Sequence, residues 1–229
     1  MDLKKQIYQR KSCRKYTEEE IDTEQIKKYI DTIKPLNPNI NYYYEILTKK
    51  EVSLKTPWSA PYYLALYSQK KENYETNLGL VFQPACLYLQ SINIGNCWVG
   101  MGTVKEKNPE FVILIAFGKS EDITRDISKF KRKKLSEISD VEDEKLKPAQ
   151  FAPSAINSQP WYFTHSDEGL DIYKIKQNII KRKLIGNLNN IDIGIALSHL
   201  YITNEDTFEF QLKNKKDSKK GTYMGSLKI

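Results

Sequence analysis

The chain has 229 residues and a formal net charge of +7, with hydrophobic residues at 40%, aromatic ones at 11% and 15 tyrosines. This is a globular composition, and a chain of this length buries about 70–75% of its unfolded surface without disulfide staples. A mean hydropathy of −0.59, no apolar run near the roughly 20 residues of a bilayer span, and an opening Met1-Asp-Leu-Lys-Lys without a signal-peptide core lead us to expect a cytoplasmic protein with no membrane partner.

Asp2 as N-cap, with Leu3 and Ile7 four apart, predicts a short helix over 2–9. Arg10-Lys-Ser-Cys-Arg-Lys-Tyr16 follows. In an extended chain Arg10, Ser12 and Arg14 share one side, and two guanidiniums with a hydroxyl make a phosphate cradle. The competing reading is a solvated basic patch. Asp22 and Gln25 have capping-box spacing before an apolar stripe of Ile26, Tyr29, Ile30 and Ile33, predicting a helix over 23–33 that Pro35 and Pro38 end. Strands are predicted over 42–47 and 62–68. A long apolar helix is predicted over 77–92, kinked at Pro84 and stopped by Gly95. Strands over 97–100 and 111–117 close this half.

A stretch at about 119–134 reads as a linker. A helix is predicted over 140–151, then a loop, Phe151-Ala-Pro-Ser-Ala-Ile-Asn-Ser-Gln-Pro-Trp161. Pro153 and Pro160 hold this loop open against helix. Ser154, Asn157, Ser158 and Gln159 offer hydroxyls and amides suited to a flat heterocycle carrying carbonyls and ring nitrogens. The plainer alternative is a turn made of ordinary turn residues. Strands over 161–164 and 170–175, an apolar helix over 191–202 and strands over 208–212 and 222–228 complete the order. Cys86-Leu-Tyr-Leu-Gln90 parallels His199-Leu-Tyr-Ile-Thr203, and Tyr43–Leu47 parallels Trp161–Thr164, at an offset near half the chain. This predicts two related halves, 1–134 and 135–229, with the two apolar helices as the seam between them.

Cys13, Cys86 and Cys97 lack the spacing of a zinc site and are expected to be reduced. His165 and His199 have no ligand-like neighbours in sequence, so no metal is expected. The basic runs 129–134 and 213–220 lack an interleaved stacking platform, so no nucleic-acid partner is expected. Gly100-Met-Gly102-Thr-Val-Lys105 begins like a dinucleotide loop, but lysine stands at the third glycine position.

The motifs together resemble the FMN-dependent nitroreductase family. The likeness rests on Arg10, Ser12, Arg14 and Tyr16, on Ala152-Pro-Ser-x-x-Asn-x-Gln-Pro-Trp161, on Gln90–Gly100, and on Ile113–Lys119 followed by Arg132-Lys-Lys-Leu135. Ordinary members are homodimers with both chains lining each flavin. Here the arginine motif lies in one half and the Ala-Pro-Ser loop in the other, so the chain resembles a divergent, internally duplicated branch. The resemblance implies an α+β fold of two αββαββ halves packed as a pseudo-dimer around central helices. It implies one FMN per chain, with Arg10, Lys11, Ser12, Arg14 and Arg132 at the phosphate and ribityl chain. Pro153, Ser154 and Asn157 would meet the ring edge, and Val99, Gly100 and Met101 would bring backbone near the flavin N5. No side chain need be catalytic, because the flavin carries the chemistry. NAD(P)H would bind transiently and a nitroaromatic, quinone or similar small acceptor would follow. The alternative is a flavin- or ligand-binding protein of the same fold without turnover. Either a monomer or a homodimer is compatible with this arrangement.

Overall fold

The computed structural model describes residues 2–35, 37–177, 185 and 188–229. One antiparallel sheet runs in the order β1 (Tyr42–Thr48), β3 (Tyr62–Ser68), β6 (Phe111–Lys119), β4 (Ile94–Val99). A second runs β7 (Trp161–Ser166), β8 (Gly169–Ile175), β10 (Gly221–Lys228), β9 (Glu209–Gln211). A small ribbon pairs β2 (Val52–Leu54) with β5 (Gly102–Val104), and the sequence signals had left both strands out. Each four-stranded sheet thus places its last strand inside its third. Each also sends a long helix between its second and third strands: α3 (Tyr74–Ser91) in the first, α6 (Leu188–Thr203) in the second.

The core follows from strand alternation. Leu64, Leu66, Ile113, Ile115 and Phe117 face one cluster, which also takes in α3, α6 and the Trp161, Phe163 and Ile172 side chains of the second sheet. On the opposite face, Tyr63, Ala65, Tyr67, Leu114 and Ala116 pack against Val52 and Val104 of the ribbon. Both faces of the first sheet are therefore covered. α3 and α6 are buried on nearly every side and largely apolar, with a few buried polar residues such as Gln83, Asp192 and His199. They cross at two glycines. A Cβ on Gly79 would lie 2.2 Å from the Ile191 carbonyl oxygen, and one on Gly194 would lie 2.0 Å from that of Thr76.

Several boundaries differ from the sequence-based expectation. α1 (Leu3–Ile7) and α2 (Thr23–Ile30) start as expected, with Asp2 accepting from Lys5 N and Asp22 from Glu24 N and Gln25 N, but both end a turn early. Gly95 does not stop α3; Asn93, in the left-handed region at φ 60°, follows the helix end, and Gly95 lies within β4. The glycine is needed there for another reason. A Cβ would meet the Cys13 Sγ at 2.9 Å and Ser120 Cβ at 2.8 Å, so the gap admits the N-terminal strand-like segment. The helix expected over 140–151 is replaced by a single turn at Glu144–Leu146 and α5 (Lys147–Gln150), while α4 (Leu135–Ile138) precedes them. Asp140 is drawn off instead by His165, whose Nδ1 it meets at 2.8 Å, and Asp143 caps the later turn through Lys145 N.

The two histidines differ sharply. His199 is fully buried, with Nδ1 bonded to the Pro148 carbonyl at 2.9 Å and Nε2 facing the Gln83 amide at 2.9 Å. The carbonyl requires Nδ1–H, which leaves Nε2 to accept from Gln83 Nε2–H. Burial pushes its pKa down to about 3, despite the Pro148 bond. His165 goes the other way: burial pulls its pKa down, but bonds to Asp140 and Asp143 outweigh that and raise it. We expect only His165 to titrate by NMR between pH 5 and 8. Because its folded pKa exceeds the unfolded one, its stabilisation is complete below about pH 6.5 and is lost as pH rises through the folded value. After solvent screening this amounts to less than about 1 kcal/mol, and His165→Gln should abolish it in denaturation curves at different pH.

Candidate functional site

A cavity of about 300 Å³ opens where the N-terminal segment, β4, the Ala-Pro-Ser loop and α6 converge. The N-terminal segment reaches it by adding to the edge of β4: Ser12 bridges Asn96 in parallel, and Cys13 N donates to Asn96 O at 2.9 Å. Asn96 is itself fixed, its Nδ2 donating to Cys86 O of α3 at 2.8 Å. This pairing makes the residues alternate. Ser12 and Arg14 line the cavity, whereas Lys11 is ion-paired with Asp122.

Arg10 is buried behind Ser12, its Nη2 donating to Ser12 Oγ at 2.9 Å. Arg125 and Arg132 lie within its electrostatic reach. Burial lowers the Arg10 pKa, with Arg125 adding to the effect, while burial and then Arg10 and Arg125 push Arg132 down to about 10. The Arg132 Nε is buried with no partner, and among the described residues neither Arg10, Arg125 nor Arg132 is ion-paired with a carboxylate. Guanidiniums remain protonated at any ordinary pH. Asp122 lies within electrostatic reach of Arg125 but is ion-paired with Lys11, so three guanidiniums gathered with no carboxylate in direct contact make a site that an anion would complete. Phe130 stands between two of them, 5.6 Å from the Arg125 carbon and 5.3 Å from that of Arg132, so the first basic run does carry one stacking aromatic.

The loop supplies Pro153, Ser154, Ala155 and Ile156 to the cavity wall. Asn157 lies outside it. Its Oδ1 accepts from Arg132 Nη1 at 2.8 Å and its Nδ2 donates to Lys131 O at 2.8 Å. Gln159 Oε1 likewise accepts from Lys133 N at 2.8 Å. The loop amides thus fasten the 131–133 segment to the loop. The backbone explains why: Ile156, Asn157 and Gln159 all have positive φ, at 47°, 55° and 46°. For a β-branched residue such as Ile156 that is a strained conformation, of the kind that clusters at ligand sites. Ser154 Oγ, accepting from Gln159 N at 2.9 Å, and Asp192 Oδ1, accepting from Ala155 N at 3.0 Å, hold it.

Of the expected residues, the cavity brings together Ser12, Arg14, Val99, Gly100, Met101, Pro153 and Ser154. Arg10, Lys11, Arg132 and Asn157 are not in its wall. Gly100 does permit a close approach, and in this structure a Leu188 methyl makes it: a Cβ on Gly100 would be 2.5 Å from Leu188 Cδ1. Sequence reasoning missed Trp58, Cys97, Trp98, Ile195 and Asp192, all in the wall. Trp98 is oriented by a chain of bonds, its Nε1 donating to Gln83 Oε1 at 3.0 Å and Gln83 donating in turn to His199. Asp192 left one visible signal, a carboxylate inside an otherwise apolar helical run. At the mouth, Met101 and Ile156 are 55% and 58% exposed, large apolar side chains on either side.

No curated protein matches the chain in sequence. Among solved structures, a putative nitroreductase from Thermotoga maritima has a TM-score of 0.68 at 20% identity, over 94% of this chain and 91% of that one, a likeness of fold. A nitroreductase family protein from Clostridium novyi NT overlaps less, at TM-score 0.45 and 19% identity, over 53% of this chain and 87% of that one. An FMN-dependent nitroreductase from Clostridium difficile R20291 overlaps at TM-score 0.42 and 12% identity, over 55% and 93% of the respective chains. The family described as "Putative TM nitroreductase" matches residues 2–204. With nearly its whole length matched and an α+β antiparallel fold, the chain belongs to that nitroreductase family.

Proposed function

We propose that the cavity and the arginine cluster beside it bind FMN, and that the protein is a flavin-dependent oxidoreductase acting on small acceptors. The observation that carries this is the set Arg10, Arg125 and Arg132, none ion-paired among the described residues, adjoining a cavity walled by Trp58, Trp98 and Ile195. An anionic group on a flat apolar ring system suits that combination, and FMN is such a molecule. In this reading Arg10, Arg125 and Arg132 hold the phosphate, with Arg14 and Ser12 nearer the ring. Lys11, already paired with Asp122, contributes through its place in the segment. Pro153 and Ser154 face the ring edge, and Asn157 acts by bracing Arg132. Bound FMN supplies two-electron redox chemistry, with NAD(P)H as donor and a nitroaromatic or quinone as acceptor. The chain's own residues bind, orient and exclude water, and Met101 and Ile156 offer apolar contact to a flat acceptor at the mouth.

The site takes Ser12 and Arg14 from one half and Pro153 and Asp192 from the other. We therefore infer one site per chain, between halves 1–134 and 135–229, in a duplicated pseudo-dimer. The shared strand order of the two sheets supports this. No helix among the described residues is long and apolar enough to cross a membrane, and a cytoplasmic setting fits the composition. The Leu188 methyl against Gly100 favours one other outcome, flavin binding without turnover, because that side chain must swing aside for a ring to reach the glycine.

The purified protein is expected to be yellow, or to become so on adding FMN, and to oxidise NADH or NADPH with a nitroaromatic or quinone. A colourless protein that takes up no FMN would sink the flavin reading. Bound FMN that neither nucleotide reduces would leave the binding role alone standing.

A further inference from the structure

Asp192 is a carboxylate carrier in a place that does not suit a carboxylate. It lies in α6 between Ile191 and Ile193, is 3% exposed, and lines the cavity. Its Oδ1 accepts from Ala155 N at 3.0 Å, while its Oδ2 is buried with no partner. The Ser158 hydroxyl lies near it and also meets Asn189 Oδ1 at 3.3 Å, without bonding Oδ2. The charges around it do not compensate. α3 meets this part of α6 through backbone at Thr76 and Gly79. Glu75 of α3 and Lys174 of β8 converge on Asn190, at 3.3 and 2.5 Å, and not on Asp192. Among the described residues of the cavity wall Arg14 is the other charged side chain, and burial raises the Cys97 thiol above its ordinary value. Ionised, Asp192 would leave a bare oxygen out of water at a cost of several kcal/mol. Burial accordingly pushes its pKa up to about 8, against the Ala155 and Ser158 donors. Protonated, its hydroxyl needs an acceptor; among the described residues Ser158 Oγ is the near candidate, and Oδ2 makes no hydrogen bond to it.

We propose that Asp192 is held as a neutral carboxylic acid whose Oδ2–H donates to a carbonyl oxygen or ring nitrogen of the heterocycle bound in this cavity. The proposal rests on the flavin reading above and gives α6 a direct part in ring recognition. A clamp on the loop alone would use Oδ1 and leave Oδ2 idle.

The test is the dissociation constant of FMN, from quenching of its fluorescence, at pH 7, 8 and 9. The wild-type affinity is expected to weaken about tenfold from pH 7 to 9, as the acid ionises. Riboflavin, which has the ring but no phosphate, should show the same trend. Asp192→Asn keeps an acceptor for Ala155 N–H and a permanent donor, so its affinity should be flat over this range. A wild-type affinity that is flat, or that tightens with pH, overturns the proposal while leaving the flavin site intact. Absence of FMN binding at every pH overturns both. The wild-type series decides the matter even if the variant folds poorly.

Discussion

Gly194→Ala is expected to destabilise the protein by about 3 kcal/mol or more, a larger loss than overpacking a side-chain core usually brings. The added methyl would lie 2.0 Å from the Thr76 carbonyl oxygen and 2.8 Å from Leu80 N, both backbone atoms of α3. Side chains can rotate away from such a contact; a helix backbone can only move as a body. Gly79→Ala meets the Ile191 carbonyl oxygen at 2.2 Å from the other side and should cost about as much. Any separation of the helices also shifts Ile191, Asp192 and Ile195 in the cavity wall, so ligand binding should fall together with thermal stability. Chemical denaturation of both variants checks this. A loss under about 1 kcal/mol in both would mean that the helices do not cross so closely.

Arg132→Ala and Arg125→Ala should each weaken FMN binding about 10- to 100-fold, the loss of one charge-assisted interaction of about 1.5–3 kcal/mol. Riboflavin isolates the cause, since it keeps the ring and lacks the phosphate. Its affinity should change less than about threefold in Arg125→Ala. In Arg132→Ala it should fall somewhat more, because Arg132 also braces Asn157 and the Phe151 carbonyl. Equal losses for both ligands in both variants would show that the cluster supports the fold and does not read a phosphate. Arg10 is less informative, being buried and bonded to Ser12, so its removal combines a folding penalty with a binding one.

What was legible in the sequence follows from how local each signal is. The two apolar helices, most strands and the two motifs are contiguous patterns, and periodicity or proline placement exposed them. The arginine motif and the Ala-Pro-Ser loop converge across more than a hundred residues because each pairs or packs on a central element. The cavity wall was less visible because Trp58, Cys97 and Ile195 carry no pattern apart from their neighbours in space. Asn157 and Gln159 were expected at a heterocycle because amides suit one. Their positive φ values, which no composition rule gives for these positions, turn their side chains to residues 131–133. The helix expected over 140–151 failed because Asp140 and Asp143 find better partners in His165 and a short capped turn.

The cavity wall begins at Ser12 and is not complete until Ile195. During synthesis the ribosome must therefore release almost the whole polypeptide before a ligand has anywhere to lodge. A nascent fragment ending after β6 would present Arg10 and Arg14 alone, with Arg125, Arg132 and the loop still to come. Ligand capture would come last, as a seal on an already folded chain rather than a template for it.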